Sequence, residues 1–139
     1  MNRSVLIAAA TVAVALVPHG PADASTSGLW DAHNPTNGFR LTVYGESTAT
    51  RWMDVPAGDD LVICYGSIKK ARGGRSDKVN FKVRNPSNGA LLGQTAYVSP
   101  GTCVRGWNND LGTTKRVYAD GDLLEAGLRE RITGSFYTT

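Results

Sequence analysis

What most limits the folds open to this chain is a repeated pattern: short runs of alternating apolar and polar residues, interrupted roughly every 8 to 12 residues by glycine, proline or asparagine. The clearest run is Lys78 to Arg84. There Val79, Phe81 and Val83 point one way while Lys78, Asn80, Lys82 and Arg84 point the other, the two-residue period of a strand with one packed face and one wet face. Asn85 to Gly89 follows as a turn, since Asn-Gly tolerates the positive φ that a tight hairpin needs. Phe39, Leu41 and Val43 alternate in the same way with Arg40, Thr42 and Tyr44.

Further strands are expected over Thr50 to Val55, Leu61 to Tyr65, Ala90 to Val98, Thr102 to Trp107, Thr113 to Ala119 and Arg131 to Tyr137, with Asp120-Gly121-Asp122 as a stop. Residues 122–131 read as extended, with a short helix capped by Asp122 as the alternative; Gly127 weakens both. About seven to nine short strands at this spacing make an all-β domain, a single antiparallel β-sandwich of jelly-roll or Ig-like type with at most one short helix near the C-terminus.

The first residues are of another kind. Arg3 precedes an apolar run from Val5 to Val17, and Pro18, Gly20 and the triplet Ala22-Asp23-Ala24 follow. A basic start, a short apolar stretch and an Ala-x-Ala triplet are the parts of a cleavable secretory signal, and the stretch is shorter than the ~20 residues a membrane span needs. Residues 1–24 are therefore expected to be a signal peptide, cleaved near Ala24-Ser25, and the mature protein to be secreted and extracellular without a membrane span. The Ala- and Val-rich run resembles the signals of high-GC bacteria. Residues 25–38, mixed in polarity around an isolated Trp30, read as a loose N-terminal leader, which leaves 39–139 as a single β domain.

Export decides how the cysteines are read. Cys64 and Cys103 are the only two, and an oxidising compartment makes an even pair a disulfide. Cys64 lies in Leu61-Val62-Ile63-Cys64-Tyr65, apolar surroundings that raise a thiol's pKa and blunt its reactivity, so the pair is assigned to structure rather than to redox chemistry.

The formal net charge is only +3, but the cations are unevenly placed. Lys69, Lys70, Arg72, Arg75, Lys78, Lys82 and Arg84 stand against Asp77 alone, with Gly73-Gly74 between them, and read as a basic hairpin able to wrap an anionic surface by counterion release. The same lysines also serve to protect a strand edge from pairing with other chains. Trp107, flanked by turn residues, and Trp52 are the candidates for a ring that stacks on a sugar, although core packing is the commoner fate of such residues.

Asp59-Asp60, Asn108-Asn109-Asp110 and Asp120-Gly121-Asp122 offer oxygen ligands for calcium but match no EF-hand pattern and read as turn formers, so no metal is expected. Catalysis by a nucleophile finds little to work with. His33 is the single imidazole beyond the signal, it reads as a surface residue beside Asp31, and no Gly-x-Ser-x-Gly elbow or phosphate-cradling loop occurs.

The sequence thus points to a small, secreted, monomeric binding module without a cofactor, not an enzyme. Its expected partner is an anionic polysaccharide or cell-wall polymer, or a protein, and no nucleic-acid fold signature accompanies the charge. A secreted inhibitor or antimicrobial effector is the first alternative. A small hydrolase working through loop carboxylates such as Asp54, Asp59, Asp110 or Glu125 is the second.

Overall fold

The computed structural model describes residues 25–44, 49–50, 52–70, 76–125, 127 and 129–139. The expected signal segment, 1–24, lies outside them, so the structure leaves secretion as an expectation.

Eleven strands form two antiparallel sheets, and no helix occurs among the described residues. In chain order they are β1 Ser27–His33, β2 Gly38–Arg40, β3 Thr42–Tyr44, β4 Ala49–Thr50, β5 Met53–Val55, β6 Asp60–Lys70, β7 Val79–Arg84, β8 Leu91–Gln94, β9 Thr102–Asn108, β10 Lys115–Leu123 and β11 Arg129–Thr138. One sheet runs β4-β3-β1-β11-β6-β9. The other runs β2-β10-β7-β8, with β5 paired to the first part of β10. The two sheets pack face to face as a sandwich, as the alternating pattern demands.

The core is the sum of the inward positions. Val79, Phe81 and Val83 of β7 are fully buried and meet Trp30, Leu61, Ile63, Tyr65 and Ile132 of the opposite sheet. Phe81 is met edge-on by both Trp30, with ring centroids 5.6 Å apart, and Tyr65, at 6.3 Å. T-shaped contacts of this kind place the positive ring edge on the negative ring face.

Three expectations need correction. Residues 25–38 are not a loose leader: Ser27–His33 is β1, held between β3 and β11, and Trp30 is 1% exposed. Its alternation, Trp30 and Ala32 inward against Leu29, Asp31 and His33 outward, was masked by polar neighbours. The run Phe39 to Tyr44 keeps its two faces but serves two sheets. β2 pairs with β10 and β3 with β1, and the chain crosses over at the buried Leu41, whose N–H donates to Ala119 O at 3.1 Å.

The third correction concerns Asp120-Gly121-Asp122, which does not stop β10. The strand continues to Leu123 because Asp120 and Asp122 have cationic partners on its outer face and the Phe39 ring occupies the space a Cβ on Gly121 would need. Residues 122–131 accordingly hold the end of β10 and the start of β11, with bends at Leu124 and Glu125.

Cys64 and Cys103 are bonded as expected and lie directly opposite each other on β6 and β9. The bridge joins neighbours within one sheet rather than the two sheets, and sits on that sheet's outer face beside Ser135. For a sequence separation of 39 the chain-entropy model gives about 4 kcal/mol. Reduction is expected to lower the unfolding free energy by up to that amount, measurable as a drop in denaturant midpoint; an unmoved midpoint would contradict it. Deleting residues 25–33 should abolish cooperative unfolding altogether, because it removes a central strand, whereas a dispensable leader would leave the transition intact.

Candidate functional site

Among the described residues, the cations expected to form a basic hairpin are divided between the two sheets. β6 and β7 belong to different sheets, so Lys69 and Lys70 stand on one layer while Lys82 and Arg84 stand on the other. Nor are these cations idle. Lys69 Nζ pairs with Glu130 at 3.2 Å, Lys82 Nζ with Asp122 at 2.7 Å, and Arg84 Nε with Asp120 at 3.1 Å, while Arg84 Nη1 also donates to Gly89 O at 3.0 Å. Lys78 is exposed just before β7. Arg72 and Arg75 lie outside the described residues, as does the side chain of Lys70.

The aromatic candidates divide. Trp107 is half-buried and packs against the core, which corrects its expected role as an open stacking platform. Trp52 is 38% exposed and meets the Tyr118 ring edge-on at 6.3 Å. Arg40 lies over that same ring, its guanidinium carbon 3.9 Å from the centroid, a cation–π contact. Its Nε donates to Asp120 at 2.7 Å, so one carboxylate ties Arg40 and Arg84 across the outer face of the second sheet.

Several of the carboxylates weighed for calcium or hydrolysis have other occupations. Asp54 pairs with Arg116 at 3.1 Å, and Asp60 accepts from Asn108 Nδ2 at 2.7 Å. Asn109 is fully buried, and its amide nitrogen donates to the carbonyls of Val55, Thr113 and Pro56, which fixes the corner between β5, β9 and β10. No group of three or more His, Cys, Asp or Glu is placed to hold a metal ion among the described residues.

The most distinctive polar arrangement was not foreseen. On the outer face of the six-stranded sheet, Asp31 of β1 is 2% exposed, a burial that is costly for an ionised carboxylate unless it is fully partnered. It is. Tyr44 Oη donates to Oδ1 at 3.0 Å, Arg131 Nη2 donates to Oδ2 at 3.0 Å, and His33 Nε2 lies 3.1 Å from Oδ2. Three neighbouring strands supply these groups, since Asp31 stands opposite Thr42 of β3 and Thr133 of β11, and His33 stands opposite Arg131.

Beside this cluster the face sinks into a depression of about 450 Å³, lined by Leu29, Trp30, Tyr44, Gly66, Arg131 and Ser135 among others. Its size falls within the range of small-ligand sites. The depression exists for a stated reason. β6 carries an extra residue at Gly66, where the pairing with β11 shifts register between Thr133 and Gly134, and Gly66 brings no side chain to fill the surface. A bulge of this kind bends a strand locally and re-aims its neighbours.

The rim is chemically mixed. Leu29 is 64% exposed, an apolar wall beside the Tyr44 ring. Arg131 and His33, 53% and 62% exposed, face solvent while held from behind by Asp31. The carboxylate therefore works as an anchor that orients N–H donors, much as an outer-shell carboxylate fixes a ligating histidine. Sequence reasoning had His33 and Asp31 side by side, but nothing local signals Tyr44 and Arg131, which reach Asp31 only through the sheet.

The hydrogen bond to Asp31 holds the Tyr44 phenol above its ordinary value of about 10, with the nearby carboxylate charge acting in the same direction. Burial, reinforced by the charge of Asp77, raises Tyr65 as well; its hydroxyl donates to Asp77 O at 2.8 Å. Both folded values exceed the unfolded one, so the stabilisation linked to each phenol is fully present below pH about 10 and is lost as pH rises through the folded value. In an ultraviolet titration of phenolate, Tyr44→Phe and Tyr65→Phe should each remove a late-ionising component; an unaltered alkaline branch in Tyr44→Phe would rule out the bond to Asp31.

No protein-family model, curated protein or solved structure matches this chain, so the geometry alone carries the functional reading.

Proposed function

We propose that the protein is a secreted binding module for an acidic carbohydrate polymer of the cell envelope, and that it engages this polymer with the outer face of its six-stranded sheet. The reading rests on one observation: a carboxylate buried to 2% exposure at the edge of a depression of about 450 Å³, with all its bonding directed to groups that line or flank that depression. Buried ion pairs contribute little stability compared with apolar packing, so their value here lies in fixing the direction of the partners. Donors that are already oriented spare a ligand the entropy of ordering them.

The chemistry left open to a ligand follows from what Asp31 consumes. Both of its oxygens are taken, while Arg131 and His33 retain exposed ring and guanidinium surface. The site thus offers N–H donors and positive charge next to the apolar wall of Leu29 and Tyr44. A sugar ring bearing a carboxylate suits it: the C–H face lies on the apolar wall and the acid group meets Arg131, whose planar guanidinium matches carboxylate geometry.

The location supports the same role. A sheet face is a rigid base, and sites built on strands hold their geometry better than sites on loops. The basic residues of β7 support it less, because Lys82 and Arg84 stand on the outer face of the other sheet.

The test is retention of the protein on immobilised polygalacturonate across a salt series. Arg131→Ala should weaken binding by about tenfold or more, the equivalent of about 1.5 kcal/mol for a charge-assisted hydrogen bond. Lys82→Ala should change it little. Retention that survives Arg131→Ala but fails with Lys82→Ala would move the contact to the other sheet.

A further inference from the structure

We infer that the binding face is made for an extended, repeating ligand and spans two adjacent subsites, one on each side of the Asp31–His33 pair; this rests on the carbohydrate reading above. The second subsite is a depression of about 420 Å³, nearly the volume of the first, bordered by His33, Asn34, Thr36, Phe39, Arg40 and Thr42. It sits beside the connection between β1 and β2, where the chain passes from one sheet to the other.

The two depressions share a wall. His33, which lines the second, is bonded to Asp31, which lines the first, at 3.1 Å. Thr42, also in the second, stands directly opposite Asp31 in the β1–β3 pairing. Two residues along a strand cover about 7 Å, so the step from Asp31 to His33 is comparable with the size of one sugar ring.

Each depression also has an arginine on its border. The first sets the apolar wall of Leu29 and Tyr44 beside Arg131, and Arg40 borders the second. Each arginine is steadied from behind by a carboxylate, Arg131 by Asp31 at 3.0 Å and Arg40 by Asp120 at 2.7 Å. Two neighbouring depressions of similar volume, each with a braced arginine on its border, match a ligand that itself repeats.

The connecting loop that borders the second subsite is fixed at its start. Asn34 adopts a positive φ of 48°, a conformation asparagine tolerates better than most residues, and its N–H donates to Glu130 O at 2.8 Å.

Galacturonate and its oligomers are suitable probes, titrated by calorimetry. An oligomer long enough to cross His33 should bind at least about tenfold more tightly than the monosaccharide, because the second contact is made at high effective concentration. Thr36→Trp, which fills the second depression from an exposed loop position, should cut the oligomer's affinity to that of the monosaccharide and leave the monosaccharide's unchanged. As an independent check, the oligomer alone should shift the backbone amide resonances of Thr36 and Gly38. Equal affinity for monosaccharide and oligomer would overturn the two-subsite inference and leave the single site standing. Failure of both to bind would overturn the carbohydrate reading, and this inference with it.

Discussion

Everything on the outer face of the six-stranded sheet depends on how Trp30 is seated. Its ring lies over Gly134, directly opposite in the β1–β11 pairing, in space that a side chain on Gly134 would take. Its Nε1 donates to Ser135 O at 3.0 Å. These two contacts fix the register of β1 on β11, and a slip of one residue would turn every side chain to the opposite face. With Trp30 inward against Phe81, Asp31 must point outward, between Thr42 and Thr133, where Tyr44 and Arg131 reach it. The polar cluster is thus a consequence of a core contact.

The two outer faces treat charge differently. On the second sheet, acids and bases answer one another across strands, with Asp120 shared by Arg40 and Arg84, and Asp122 taken by Lys82. These half-buried pairs leave a face of mixed sign in which each charge is answered by another. On the first sheet a single carboxylate is withdrawn from solvent and its cationic partners are left at the surface. That asymmetry sets the two outer faces apart.

How far the sequence could be read follows from the range of the interactions. The strands with a strict two-residue period, Lys78 to Arg84 above all, were legible because burial acts on alternate residues of a single segment. The disulfide was legible because only one pairing is possible for Cys64 and Cys103. β1 was not, since asparagine, proline and glycine nearby obscured a short alternation. The change of sheet at Leu41 was not either, because a strand that bridges two layers keeps its period throughout. Asp31 marks the limit: its partners Tyr44 and Arg131 are separated from it by 13 and 100 positions, and no local pattern encodes such a meeting. The basic strip shows the complementary limit: Lys69 and Lys82 are close in sequence yet stand on different sheets.

The strand order has a temporal consequence. β1 and β11, the first and last described strands, are immediate neighbours in the middle of a sheet, and β6 completes its pairing only against β11 and β9. Contacts so distant along the chain are slow to form, and none of those involving β11 can be made until that strand has been synthesised. The polypeptide therefore lacks its central sheet until β11 has been made.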